Sequence, residues 1–144
     1  GRPLGAPQPL PLLGSGATPA ETRQRLREQA IELKDLLPDG ALRDQQIAHL
    51  QSNHGLQAMP LIKGIDPVQR EPLSGVIPLC QGEIDHAIQR EHARSASDVL
   101  ARRCRMAMVD LTEARRLQPL VDERLDQLTG TAASTSPINH QLMP

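Results

Sequence analysis

The chain of 144 residues contains no phenylalanine, tyrosine or tryptophan. Its core must therefore be built from Leu, Ile, Val, Met and Ala, which fill space but specify a unique packing less firmly than mixed cores do. Without aromatic rings there is also no platform on which single-stranded nucleic acid would stack. Charge of one sign is lacking too: 16 basic and 17 acidic residues leave a net charge of −1. No global field then draws the chain toward nucleic acid or an anionic membrane. No apolar run approaches the roughly 18 residues of a membrane span, so no transmembrane segment is expected. Cysteine is scarce. Cys80 and Cys104 make no disulfide framework, and Cys104 reads as a small buried hydrophobe.

What is present is mostly helical patterning between proline- and glycine-rich punctuation. Residues 1–18 form a Pro/Gly-rich extended lead-in. Gly14-Ser15-Gly16 superficially suggests a phosphate loop, but Pro19 stands where the third glycine should be. Thr18, Pro19 and Glu21 mark a helix start, and Leu26, Ala30, Leu33 and Leu37 make its stripe through residues 19–37. Pro38-Asp39-Gly40 stops it. A second helix over 41–54 carries Ile47, Leu50 and His54 on one face, with Gly55 after its end. A third begins near residue 56 with Pro60 in its first turn. Residues 65–80, broken by Pro67, Pro72 and Pro78, are a connector.

The most informative stretch is 81–111, which reads as two helices joined by a tight turn. Ile84, Ala87 and Ile88 line the first. Ala96, Val99, Leu100, Cys104, Ala107, Met108 and Leu111 line the second. Ser95 is placed to cap the second helix, with Asp98 as the capping-box acid. Asp98, Arg102 and Arg105 fall on its polar face. At 100° per residue, Arg103 falls inside the apolar stripe, and Glu91 does the same on the first helix. A buried guanidinium needs a carboxylate, so Arg103 is expected to pair with Glu91, with Glu83 in reserve. Asp110 then caps a last helix ending at Thr129–Gly130. Pro119 lies within it, where a kink or a division into two short helices is expected. Residues 130–144 read as a tail. The expectation is one all-α domain: an irregular bundle of five to seven helices over 19–129.

Few residues suggest chemistry. Glu83-x-x-His86 has the spacing of half a two-metal carboxylate motif, but no second such motif exists. Cys80, His86 and His92 match no zinc spacing. No serine sits in a nucleophile elbow. Catalytic, cofactor-binding and metal-binding residues are therefore not expected. Glu83, Glu91, Asp98, Arg102, Arg103 and Arg105 are expected to act as a structural ion-pair set that neutralises itself.

The segment Gly82-Glu83-Ile84-Asp85-His86-Ala87, followed by Glu91-His92-Ala93 and by Ser97-Asp98-Val99-Leu100-Ala101-Arg102-Arg103-Cys104-Arg105, resembles the C-terminal helical domain of FAD-dependent glycerol-3-phosphate dehydrogenases of the respiratory or mitochondrial type. The resemblance runs from Pro11-Leu12-Leu13-Gly14 to Leu128. It includes His49-Leu50 and Asn53-His54-Gly55. The chain departs from the family pattern with His at 54 and 86, where tyrosine is frequent, and with Met59 and Met108 where an aromatic is common. The aromatic depletion thus resembles substitution at core positions, and a Phe-to-Met exchange costs under about 1.5 kcal/mol.

The resemblance implies a non-catalytic domain of a mitochondrial enzyme that oxidises glycerol 3-phosphate to dihydroxyacetone phosphate and passes electrons to quinone. FAD would then be held by a separate flavin domain, which is the implied partner. Two alternatives stay open. One is a detached copy serving as a structural subunit of a larger mitochondrial assembly. The other is a metal or redox enzyme using Cys80, His86 and Glu83.

Overall fold

A computed structural model describes residues 12–130. The expectations for the start of the lead-in, 1–11, and for the tail, 131–144, fall outside the described residues. Among those described there are six α-helices and no strand beyond one isolated antiparallel bridge, Pro72 to Cys80.

Helix α1 spans Pro19–Leu36. Thr18 Oγ1 accepts from the Glu21 N–H at 3.1 Å, and Pro19 occupies a position that needs no donor. Helix α2, Arg43–His54, lies against α1. A 3₁₀ turn at Gly55–Gln57 leads into α3, Ala58–Lys63. These elements, with Cys80, enclose one core of Leu33, Leu37, Ile47, Leu50, Ala58, Leu61 and Ile62. Two buried glutamines reach backbone acceptors rather than water. Gln29 Nε2 donates to Leu56 O at 2.9 Å, and Gln46 Nε2 donates to Arg70 O at 2.7 Å. A buried amide without such partners would be costly.

The connector is not wholly irregular: a 3₁₀ turn at Pro67–Arg70 carries an Asp66/Gln69 capping box. Helix α4, Gln81–Gln89, follows. A second core lies between α4, the segment after it, and α6, Leu111–Thr129. Leu100, Met106 and Val121 are fully enclosed there. Truncating a residue such as Leu100 to Ala would cost about 2–5 kcal/mol.

The second half of the central stretch is not a continuous α-helix. Residues Asp98–Arg103 form a π-helical turn, in which the Cys104 N–H reaches back five residues to Val99 O at 3.0 Å. Arg105 then adopts a left-handed φ of 58°, and a separate four-residue helix α5, Met106–Val109, begins. The wider turn and the reversal shift the helical register. The buried methionine is consequently Met106 at 0% exposure, while Met108, placed on the stripe by an uninterrupted wheel, is 72% exposed. A core role for position 108 is corrected by the same fact. Of the two outcomes expected at Pro119, the division into two short helices does not occur: α6 runs through Pro119 as one element. Asp110 caps it through Oδ1 at 3.0 Å from the Glu113 N–H, and Gly130 at φ 66° closes it.

Candidate functional site: a polar seam between the two cores

Where the two cores meet, α4 presents its first turn to the end of α2. Glu83 is 4% exposed. Its Oε1 lies 2.9 Å from His49 Nε2 and 3.2 Å from His54 Nε2, and its Oε2 accepts from the Cys80 N–H at 3.0 Å. A carboxylate only accepts, so both histidines turn an Nε2–H toward it. Burial alone would raise the Glu83 carboxyl. The hydrogen bonds from His49 and His54 outweigh it and hold the group down at about 2. Glu83 is thus an anion in the interior, and its partners are histidines rather than Arg103. Its reserve role beside Arg103 is corrected on that ground.

The seam continues outward. The rings of His54 and His86 meet edge to face with centroids 5.6 Å apart. They stand at the two positions where the family resemblance places tyrosine, so a ring-to-ring contact is present despite both departures. His86 Nε2 lies 3.7 Å from Glu91 Oε1. Burial holds the His86 ring below its ordinary pKa, Glu91 opposes that shift, and His54 and Arg90 add to it. Glu91 Oε2 accepts from Arg103 Nε at 2.8 Å, and Glu91 O accepts from Arg103 Nη2 at 2.6 Å. Arg103 and Glu91 therefore meet, but at the rim: their side chains are 29% and 38% exposed. Their expected burial is corrected: α4 ends at Gln89, which leaves Glu91 in the turn beyond it, and the π turn takes Arg103 off the apolar stripe.

The other residues of the expected ion-pair set divide. Asp98 Oδ2 accepts from the Arg94 N–H at 2.9 Å, while Ser95 Oγ accepts from the Asp98 N–H at 3.1 Å. Asp98 also pairs with Arg102 at 2.6 Å. Arg105 is exposed. Glu83, Glu91, Arg102, Arg103 and Arg105 line one cleft of about 420 Å³, and Asp98 lies outside its lining.

A second ionic clamp was missed in the sequence. Asp85 takes a two-pronged contact from Arg124, Oδ1 to Nε at 2.8 Å and Oδ2 to Nη2 at 2.7 Å, with Gln69 Nε2 donating at 3.2 Å. It binds α4 to α6. No local signal links residues 39 positions apart. The histidines at 49 and 54 were equally missed as partners of Glu83.

Other candidate chemistry is also settled by geometry. The Cys80 thiol is buried, and burial followed by the charge of Glu83 pushes it up to about 12. It is a protonated packing group, not a ready ligand or nucleophile. Glu83 spends its oxygens on His49, His54 and Cys80, so Glu83 and His86 do not form half of a two-metal site. At the glycine turn, the Gly16 N–H is taken by Thr22 Oγ1 and the Ala17 N–H by Glu21 Oε2. Those amides do not fit the phosphates of a dinucleotide such as FAD.

Fold and seam together define a small all-helical domain whose interior charges are spent on joining its own helices. The family model of the C-terminal domain of alpha-glycerophosphate oxidase matches residues 7–135, and the chain belongs to that family. Comparisons with curated proteins and with solved structures gave no match. No described helix is long and apolar enough to cross a membrane.

Proposed function

We propose that this chain is the helical C-terminal domain of a FAD-dependent enzyme that oxidises glycerol 3-phosphate to dihydroxyacetone phosphate. The observation that carries the reading is the family match over residues 7–135. The substrate loses two electrons and two protons, and FAD in a separate flavin domain is the group that accepts them. This chain's part is structural: the Glu83 seam and the Asp85–Arg124 clamp hold a rigid helical body that docks on that flavin domain. A quinone acceptor and a mitochondrial setting extend the proposal on the strength of the sequence resemblance, whereas the family name carries an oxidase.

The test is to isolate the native species that carries this chain and assay it. A yellow species with a flavin spectrum that reduces quinone, or oxygen, on addition of glycerol 3-phosphate is the expected result. A large multi-subunit particle without flavin would overturn it in favour of a structural subunit.

A further inference from the structure

Three side chains near the outer end of the seam converge without having been brought together by any sequence motif. One ligand atom each from His54, His86 and Glu91 lies within 4.8 Å of the others. All three line a cleft of about 590 Å³ beside Asn53, Gln57 and Arg90. We propose that His54, His86 and Glu91 form a binding site for a divalent cation of the zinc class, which clamps the end of α2 to α4 and the turn after it. This inference does not depend on the enzymatic reading above.

Two of the three ligands are already held for the task. His54 donates its Nε2–H to the buried Glu83, which leaves the neutral ring a bare Nδ1. A carboxylate behind an imidazole is the usual support of a zinc-bound histidine, fixing tautomer and orientation. Glu91 is anchored at one oxygen only. Arg103 Nε takes Oε2, while Oε1 is turned to His86 Nε2 at 3.7 Å. Two imidazoles and one carboxylate oxygen are a ligand set suited to zinc, and a fourth, open position suits a water from the cleft.

Tetrahedral zinc brings its ligand atoms to about 3.4 Å apart, so the cluster must close by up to about 1.4 Å. His86 and Glu91 are partly exposed, at 33% and 38%, and can move that far. The ion would bridge the two cores, because His54 ends α2 while His86 and Glu91 belong to α4 and its exit.

The experiment is titration of the full chain with Zn²⁺ by calorimetry, and with Co²⁺ followed by visible absorption, alongside thermal unfolding with and without Zn²⁺. The expected result is one Zn²⁺ per chain and a raised unfolding midpoint. His86→Ala and Glu91→Gln should each weaken Zn²⁺ binding about 100-fold, the upper end of what losing even a supporting partner costs. His92→Ala, an exposed histidine outside the cluster, should leave binding unchanged. Circular dichroism of the variants confirms that helices persist. Absence of Zn²⁺ binding to the parent chain overturns the proposal. So does equal affinity in His86→Ala and Glu91→Gln, or a loss in His92→Ala as large as theirs.

Discussion

Glu83 and His49 stand 34 residues apart in sequence and 2.9 Å apart in space, carboxylate oxygen to ring nitrogen, inside the protein. His54 reaches the same oxygen at 3.2 Å. This convergence joins α2 to α4 and makes a buried charge tolerable. Its removal has a definite sign. Glu83→Ala strips acceptors from two rings and from the Cys80 amide, and should lower stability by about 1.5–3 kcal/mol, read as a shift in the urea midpoint.

The same carboxylate sets an acid limit. Its ordinary value is 4.5 and the folded value about 2, so folding favours the ionised form. The resulting stability, on the order of 3 kcal/mol, is fully present above pH 4.5 and is lost as pH falls toward 2. Glu83→Gln should flatten that part of the stability–pH curve; an unchanged slope would locate the acid sensitivity elsewhere.

Asp85 and Arg124 form the second weld, a fork of two bonds at 2.8 and 2.7 Å between α4 and α6. Arg124→Lys keeps the charge and loses the fork, so it should still cost about 1 kcal/mol or more. A double-mutant cycle with Asp85→Ala should return a coupling of about 1.5–3 kcal/mol. A coupling near zero would reduce the pair to a surface contact.

Gly55 is held at φ 55° and ψ −132°, and a Cβ there would lie 2.4 Å from the Gly14 carbonyl oxygen. Leu56 donates its N–H to that same oxygen at 2.9 Å. Gly55→Ala should cost more than about 2 kcal/mol through strain and collision with backbone. Gly75→Ala, where a Cβ meets nothing within 4 Å, should change stability by less than about 0.5 kcal/mol. Thermal unfolding of the two variants distinguishes them.

Arg105 offers the opposite test. It carries a left-handed φ of 58° that an L-residue holds at a cost of roughly 1–2 kcal/mol. Arg105→Gly should therefore leave stability unchanged or raise it by up to about 1 kcal/mol. A clear loss on denaturation would show that the guanidinium contributes to the fold.

Local chemistry was legible in the sequence wherever it acts over a single turn. Thr18, Asp110 and Gly130 announce their helix ends because a cap needs only its own neighbours. The break at Arg105 was not legible. A π turn has no propensity signature, and the periodic wheel carries Met108 inward when it in fact points out. Charge positions at Glu91 and Arg103 could be read, but not their exposure, which follows for Arg103 from the same slipped register and for Glu91 from the end of α4 at Gln89. The histidine partners of Glu83 and the arginine partner of Asp85 lie 29–39 residues away, and only the folded arrangement of helices brings them together. His54 and His86 carried a faint signal: both depart from the resembled pattern, and both turn out to touch.

The two cysteines fall one in each core: Cys80 with the α1–α3 group and Cys104 with the α4–α6 group. Burial keeps both thiols shut away, pushed up to about 12 and about 11. The molecule thus carries a built-in pair of alkylation clocks, one for each half. Simultaneous labelling would mean the halves come apart as a single cooperative body. If one sulfur reacts well before the other, each half keeps its own time, and the seam between them is the coupling that has slipped.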